Sequence, residues 1–382
     1  MDLNDFPKNI SFEIFKTLQD PRIERQKYYS LEAILVISVC ATLCDCDTWV
    51  DIADFAKDHQ DWFSQFLDLP YGVPSHDTFG RVFALINPDF FEEVFVQWVK
   101  ETFKLQADEV IAIDGKTMRG TQQNGKKGTG IHMVSAFASQ MGLVLGQVAT
   151  EEKSNEITAV PKLLEKLALK GCTVTLDAMG CQRAIVKKIQ EKKGAYCIAV
   201  KGNQGDLYEE LQALFTPEIC DQLKRTLAEG YAETIEKNHG RIEKREYYSI
   251  CAKSWMSREN QWEGCKSVTL VVSERLYRGE ISKENRFYIS SHVADANFNG
   301  KIIRQHWSVE NNLHWVLDVV FHEDHLQIKI KNAARNLGLV RRFALNLLKQ
   351  ETSFVASMRR KRKKAGRDFG YLFKVIGPLL AK

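Results

Sequence analysis

The sequence predicts an α/β protein in which a mixed β-sheet core follows a helical N-terminal region. Two observations carry this prediction. Before about residue 105, apolar residues recur at three- and four-residue spacing, which is typical of helices. From about residue 107 to residue 200, short apolar runs alternate with helical segments in the order β-β-β-α-β-α-β. The length of 382 residues allows two or three domains.

Residues 1–105 form the predicted N-terminal helical domain, which is a candidate for DNA binding. Ser30 is a suitable N-cap for the apolar run that follows it. That run, Leu31 to Cys44, is too short to cross a bilayer and contains Glu32, so we expect a buried helix and no membrane partner. Short helices joined by turns fit a helix-turn-helix, but any small helical bundle gives the same pattern.

Residues 106–350 form the second predicted domain. The three strands that come first have short links and should be antiparallel, whereas strands linked through helices should be parallel. The predicted strands are 109–114, 132–138, 143–149, 172–177 and 195–200, with helices at 156–169 and 181–192. The more polar residues 206–286 interrupt this alternation and are interpreted as an insertion. A further strand at 287–291 and long helices at 299–321 and 326–350 complete the domain.

Residues 351–382 form a predicted basic C-terminal tail. The net charge of +4 is unevenly distributed, since residues 331–382 hold 14 Lys/Arg and 2 Asp/Glu, and the preceding residues are net acidic. The run Arg359-Arg-Lys-Arg-Lys-Lys indicates a polyanionic partner, to which it would bind through phosphates without reading sequence. A solvated, disordered tail is the alternative interpretation.

Composition and motifs exclude several classes of protein. The nine cysteines are an odd number without a Cys-x-x-Cys pair, so we expect reduced thiols in a cytoplasmic protein. Cys44-Asp-Cys46 could bind a metal but lacks a second pair at finger-like spacing. The N-terminus has no basic or apolar signal region, which argues against secretion. The sequence has no P-loop, no His-Glu-x-x-His zinc site and no Gly-x-Ser-x-Gly elbow.

Three acidic residues lie in apolar settings that do not favour a charge. Asp114 and Asp177 each end an apolar predicted strand, and the two strand ends should meet at one edge of the sheet. Glu310 lies on a largely apolar helix face with His306 and His314 one turn away. Three converging carboxylates predict a site for two divalent cations, Mg²⁺ or Mn²⁺, and phosphoryl transfer. A buried Glu–His pair is the alternative for Glu310, and His322-Glu-Asp-His325 is a weaker candidate for a metal site.

Residues beside these acids suit a nucleic-acid substrate. Basic side chains would neutralise phosphates, and an aromatic ring could stack on an unpaired base. A structural role is an open alternative for each of them. The predicted DNA contacts are Lys116, Arg119, Lys201, Asn203, Gln204, Arg304, His306, Trp307 and Asn311.

Several motifs resemble bacterial insertion-sequence transposases of the Asp-Asp-Glu class, and the H-repeat-associated, Rhs-linked group in particular. The resemblance covers nearly the whole chain. The motifs are Ile-Asp114-Gly-Lys-Thr-Met-Arg-Gly, Glu152-Lys-Ser-Asn-Glu-Ile, Thr175-Leu-Asp177-Ala-Met-Gly-Cys-Gln, Val200-Lys-Gly-Asn-Gln, Phe287-Tyr-Ile-Ser-Ser and Arg304-Gln-His-Trp-Ser-Val-Glu310-Asn-Asn-Leu-His-Trp-Val-Leu-Asp. Related enzymes carry a Tyr-x2-Arg-x3-Glu-x6-Lys signature, of which only the Glu is present here; the other positions are Ile303, His306 and Leu317.

The resemblance implies a ribonuclease H-like catalytic core with an insertion before the helix that carries Glu310. It gives Asp114, Asp177 and Glu310 the roles of the metal-binding triad. It implies hydrolysis and strand transfer at the ends of a DNA element, with double-stranded DNA as partner and a homodimer on that DNA. A catalytically inactive, transposase-derived DNA-binding protein and a related DNA nuclease are the alternatives.

Overall fold

The computed structural model describes most of the chain. The described residues are 12–24, 27–122, 129–150, 156–226, 229–238, 240–254, 262–325 and 327–380. In those ranges, no helix has the length and apolar character that a membrane span requires.

The N-terminal region is helical, as predicted. Ser30 caps the second helix, since its Oγ accepts the backbone N–H of Ala33 at 3.0 Å. Every residue of that helix except Glu32 is buried, which confirms the expected buried helix. The helices are α1 (Glu13–Lys16), α2 (Leu31–Leu43), α3 (Trp49–Asp58), α4 (Gln60–Phe63), α5 (His76–Leu85) and α6 (Pro88–Thr102).

The sheet core has the predicted order of elements and the predicted directions. The elements are β1 (Val110–Met118), β2 (Ile131–Ala138), β3 (Leu143–Ala149), α7 (Glu156–Lys166), β4 (Thr173–Leu176), α8 (Arg183–Glu191) and β5 (Ala195–Val200). Strands β1, β2 and β3 are antiparallel neighbours, and β1, β4 and β5 are parallel neighbours. This is the ribonuclease H-like mixed sheet that the family resemblance implied. The largest difference in a boundary is at β1, which continues past Asp114 to Met118 because its second half pairs with β2.

The inserted residues extend the same sheet. They form α9 (Gly205–Leu214), α10 (Pro217–Thr226), β6 (Tyr231–Asn238), β7 (Arg241–Cys251), β8 (Ser267–Tyr277) and β9 (Glu280–Ser290). In the described residues, nine strands follow the order β3-β2-β1-β4-β5-β9-β8-β7-β6. Strand β9 is buried only near its C-terminal end, where it pairs with β5, and its first six residues are exposed. A strand exposed on both faces lacks the alternation of polar and apolar residues that reveals strands in a sequence.

The last part of the domain contains the helix that carries Glu310. The sequence predicted one helix at 299–321, but the structure has α11 (Ala296–His306), a π-helical turn at Glu310–His314 and then α12 (Trp315–Val319). The following helix, α13 (Lys331–Gln350), is almost entirely buried. Asn346 joins it to β3, since its side chain accepts the N–H of Val144 at 2.8 Å and donates to the carbonyl of the same residue.

The basic C-terminal segment is folded, which corrects its interpretation as a tail. It forms α14 (Met358–Ala365) and α15 (Phe369–Ile376). Phe369 packs against His59 and Trp62, and Trp98 Nε1 donates to the carbonyl of Pro378 at 3.0 Å. The C-terminal helices therefore pack on the N-terminal helices. Two of the basic residues, Lys361 and Arg362, are buried, so they are not free to bind a phosphate.

A buried ion pair joins the helices to the sheet domain and predicts a pH-dependent stability. Glu92 on α6 is 1% exposed, and Lys166 Nζ on α7 lies 3.0 Å from it. Burial raises the pKa of Glu92 to about 7, although Lys166 opposes the shift. An acid with a higher pKa in the folded than in the unfolded chain holds its proton more tightly when the chain is folded. Its contribution to the free energy of unfolding is therefore largest below about pH 4.5 and is lost as the pH rises to about 7.

We expect Glu92 to lower the free energy of unfolding by roughly 3 kcal/mol over this pH range. The midpoint of urea unfolding should fall with it. In Glu92→Gln the side chain does not titrate, so the decline should be smaller. Parallel pH series of both proteins measure the difference. Identical pH dependence of the two proteins would contradict the assignment to Glu92.

Candidate metal centre

Asp114 is held in the middle of β1, where burial opposes its ionisation. Its side chain is 18% exposed. Burial, and the neighbouring charges of Glu310 and Glu156, raise the pKa of Asp114 to about 6, while His314 acts in the opposite direction. A carboxylate in this position is stabilised by any cation that reaches it.

The π-helical turn brings two more side chains to Asp114. His314 Nδ1 lies 3.5 Å from Asp114 Oδ2 and also 3.5 Å from Glu310 Oε2. A hydrogen bond from His314 lowers the pKa of Glu310. A π-turn inserts one extra residue into a helix, and such turns are frequent at functional sites. The Glu310 side chain is 55% exposed, although its predicted apolar neighbours Ile303, Leu313 and Leu317 are buried.

Asp114, Glu310 and His314 together form a candidate metal centre. Each offers one ligand atom, and these atoms all lie within 4.8 Å of one another. His314 was predicted from the sequence only as a neighbour of Glu310 and not as a candidate ligand. The available signal was its spacing, because a residue four positions after Glu310 lies on the same side of a helix.

Asp177 lies beside this cluster but is not part of it. It directly follows β4, and its preceding residue Leu176 pairs with Ile113, the residue before Asp114. The two aspartates therefore occupy matching positions on neighbouring parallel strands, as predicted. Asp177 Oδ1 accepts the backbone N–H groups of Met179 at 2.9 Å and Gly180 at 3.3 Å.

Lys116 joins β1 to α12 and to the residues that follow α12. Its Nζ lies 2.5 Å from Asp318 and 3.2 Å from both Glu323 and Asp324. The side chain is 10% exposed. Although burial opposes it, the carboxylates of Glu323 and Asp318 raise the pKa of Lys116. The prediction of a DNA contact at Lys116 is therefore replaced by a structural role, because its charge is already neutralised by three buried or half-buried acids.

A second pair of polar side chains lies against Gly115, next to Asp114 in β1. One hydrogen bond joins Thr117 Oγ1 and His132 Nδ1 at 2.9 Å, and another joins His132 Nε2 and Glu156 Oε1 at 2.8 Å. A Cβ at position 115 would overlap both Glu156 Oε1 and His132 Nε2. A glycine after Asp114 is therefore required for this pair to pack against the strand.

We expect Gly115→Ala to displace the His132–Glu156 pair and to destabilise the protein by roughly 1–3 kcal/mol, the usual cost of overpacking. Urea unfolding measures the change. Gly205→Ala is the matched control, since no atom lies within 4 Å of a Cβ at that position. Equal stability of the two variants would show that Glu156 and His132 move aside without cost.

The loop after β5 supports the loop that carries Asp177. Asn203 Nδ2 donates to the carbonyl of Ala178 at 2.7 Å, and Gln204 Nε2 donates to the carbonyl of Cys181 at 2.8 Å. These side chains, predicted as DNA contacts, thus hold two loops together. Burial raises the pKa of Asp177, and the charge of the exposed Lys201 acts in the opposite direction.

A cleft of about 960 Å³ opens beside Glu310. One wall is formed by β6 to β9 of the insertion, and the other includes Arg304, Trp307 and Asn311. Arg286 lies over the Trp307 ring, 4.7 Å from its centroid. Arg304 donates to Glu236 at 2.7 Å. Three of the predicted DNA contacts therefore line the same cleft as Glu310.

The two remaining predicted contacts lie elsewhere. His306 makes a hydrogen bond to Thr175 Oγ1 at 3.0 Å, and burial lowers the pKa of its imidazole to about 4. A neutral, bonded imidazole is a structural group, which corrects its prediction as a DNA contact. The Arg119 side chain is 78% exposed, and its Nε lies 3.7 Å from Asp324.

Among the described residues, neither His322-Glu-Asp-His325 nor Cys44-Asp-Cys46 forms a cluster of three candidate metal ligands. In His322-Glu-Asp-His325, Glu323 is buried against Arg342 at 2.5 Å, and His322 bonds Asp47 instead. All nine cysteines are free, and burial raises the pKa of Cys46 to about 12, so Cys44 and Cys46 are not poised as thiolate ligands. Residues 152–155 of the Glu152-Lys-Ser-Asn-Glu-Ile motif lie outside the described residues.

Comparisons with known proteins give a consistent result. A family model described as "Transposase DDE domain" matches residues 105–347, and one described as "DDE_Tnp_1-associated" matches residues 12–99. The chain is 39% identical to "H repeat-associated putative transposase YhhI" of Escherichia coli K12, over 98% of both chains. It is also 39% identical to "Putative transposase YncI" of Escherichia coli O157:H7, over 95% of this chain and 93% of that protein.

Among solved structures, the chain is similar to a piggyBac transposase in a synaptic complex with hairpin DNA. The TM-score is 0.40 at 13% sequence identity, and the match covers 96% of this chain and 78% of the other.

Proposed function

Because the chain belongs to the DDE transposase family, in its H-repeat-associated group, we propose that it cuts DNA at the ends of an insertion element and joins the freed ends to target DNA. Family membership implies DNA as partner and a divalent cation as cofactor. The cleavage and strand-transfer activities are the proposal.

One observation carries the proposal: two acids of the predicted triad, Asp114 and Glu310, converge on one point with His314. Their donor atoms fit a divalent cation, since carboxylate oxygens and an imidazole nitrogen are common protein ligands of such ions. The raised pKa of Asp114 supports the fit, because a nearby cation would favour its ionised form.

We assign Asp114, Asp177 and Glu310 to a site for two ions, Mg²⁺ or Mn²⁺. Asp114 would bind an ion together with the nearby Glu310, and Asp177, which follows the neighbouring strand, would complete the site. When bound there, a divalent cation supplies Lewis-acid stabilisation of the charge that develops at a phosphoryl group.

The chain's own residues would place the DNA. The cleft would bring a phosphodiester to Glu310, with Arg304 and Trp307 in its lining, and Lys201 is close enough to Asp177 to affect its charge. A phosphate entering the cleft would compete with Glu236 for Arg304. The N-terminal helices remain the candidate for binding element ends, and a homodimer would hold two such ends together.

The experiment uses wild-type protein and double-stranded DNA from the two boundaries of the element that encodes it. With Mg²⁺ or Mn²⁺ we expect nicks at the element boundary that leave a 3′-hydroxyl. When a target plasmid is added, we expect joined products; with a chelator we expect neither.

The same assay separates the alternatives. Binding to boundary DNA without any metal-dependent nick would favour an inactive, transposase-derived DNA-binding protein. Nicks without joined products, at target concentrations that saturate binding, would favour a nuclease.

A further inference from the structure

We propose that His314 is a ligand of the cation held by Asp114 and Glu310, and that it gives this site a preference for a first-row transition ion over Mg²⁺. The inference rests on the proposed function, because it concerns the same metal centre. It adds an imidazole nitrogen to a site whose protein ligands would otherwise all be carboxylate oxygens.

The distances suit coordination of one ion by all three side chains. His314 Nδ1 lies 3.5 Å from a carboxylate oxygen of Asp114 and 3.5 Å from one of Glu310. Two ligand atoms that are each about 2.1 Å from a common ion, at angles between octahedral and tetrahedral, lie roughly 3.0–3.4 Å apart. Both His314 distances lie just above this range, and the three candidate ligand atoms all lie within 4.8 Å of one another.

The burial of His314 indicates that its imidazole serves this cluster. The residue is 6% exposed, and its Nε2 has no hydrogen-bond partner among the described residues. Its polar interactions are thus those of Nδ1 with Asp114 and Glu310. His306, about two helical turns earlier, differs from His314, because its ring makes a hydrogen bond to Thr175 and lies outside the cluster.

The nature of the donor decides which ion is preferred. Mg²⁺ prefers oxygen ligands and near-octahedral geometry. Imidazole is a good ligand for transition ions. A site of two carboxylates and one imidazole should therefore bind Mn²⁺ more tightly, relative to Mg²⁺, than the same site with three carboxylates.

The test uses Mn²⁺ as a spectroscopic probe in the full-length protein. Pulsed electron paramagnetic resonance should detect one ¹⁴N nucleus coupled to bound Mn²⁺, and this coupling should be absent in His314→Asn. Displacement of Mn²⁺ by Mg²⁺ gives the ratio of the two dissociation constants. We expect His314→Asp to lower the preference for Mn²⁺ at least about tenfold, since it makes all ligands oxygen. His292→Asn is the control, because that histidine bonds Thr173 and lies outside the cluster.

The outcomes distinguish failure of this inference alone from failure of the metal centre itself. Saturable Mn²⁺ binding that disappears in Asp114→Asn, but shows no ¹⁴N coupling in the wild type, would keep the metal centre and overturn the role of His314. An unchanged Mn²⁺/Mg²⁺ ratio in His314→Asp would overturn the claimed preference. No saturable Mn²⁺ binding by wild-type protein would overturn both the inference and the metal centre.

Discussion

Asp114→Asn is expected to reduce metal-dependent DNA cleavage by about 10³-fold or more, while the protein stays folded and still binds boundary DNA. Asp114 lies close to Glu310 and on the strand next to the one that Asp177 follows, so we expect its loss to affect both proposed ions. An amide in its place keeps the shape of the side chain but removes the charge. Losing a member of a group that acts as a unit typically costs several orders of magnitude in rate.

The assay compares initial rates of nicking at saturating Mg²⁺, with circular dichroism as the check on folding. Asp221→Asn is the control, because Asp221 is an exposed acid on α10. This variant should cleave DNA at the wild-type rate. Cleavage by folded Asp114→Asn at more than about a tenth of the wild-type rate would contradict the assignment.

Arg362→Met is expected to destabilise the protein by about 3–5 kcal/mol, because it removes one partner of a buried ion pair. Arg362 is fully buried, and its guanidinium donates to the carbonyls of Thr42 and Val320 and to Asp47 at 2.7 Å. It also lies 4.4 Å from the centroid of the Phe321 ring. One side chain thus joins α14 to the end of α2 and to the residues after α12.

Thermal and urea unfolding measure the loss, and Arg359→Met is the matched control from the same basic run. Arg359 is exposed, so its replacement should change stability by less than about 0.5 kcal/mol. Equal stability of the two variants would mean that the helix α14 is not held by Arg362. Loss of DNA binding in Arg362→Met without loss of stability would restore the phosphate-binding interpretation.

The sheet core could be predicted because its strands follow simple rules. Strands β2 and β3 are joined by a short turn, and β4 and β5 are buried runs separated by a helix. Each signal is local, so the predicted boundaries lie within one or two residues of the observed ones. The end of β1 was missed because its polar second half pairs with β2, and pairing partners are not visible in one strand's composition.

The insertion was found as an interruption but not as part of the sheet. The polar parts of β7, β8 and β9 carry charged residues, such as Glu243, Arg275 and Glu284, which pair across the strands or along them. Polar strands of this kind are stabilised by pairing with neighbouring strands. Hydrophobic periodicity within one segment does not show which segments pair.

The environments of charged residues were the hardest to predict. Lys116 and Arg362 were interpreted as phosphate contacts because both are basic and lie in suggestive segments. The structure buries both of them against acids and carbonyls that are far away in sequence. Conversely, Glu310 was expected on an apolar face, and the π-turn exposes it. Sequence gives the charge of a residue, but long-range packing decides its partner.

The most direct test of the account is whether Asp177 works in one unit with Asp114. Asp177 is the one triad residue that lies outside the cluster of Asp114, Glu310 and His314, so its assignment as a metal ligand is the part to test. The measurement is the rate of metal-dependent nicking of boundary DNA by Asp177→Asn, by Asp114→Asn and by the double variant. We predict that all three fall to the same background, because residues that act as a unit are not additive. Nicking by Asp177→Asn at the wild-type rate would contradict the triad.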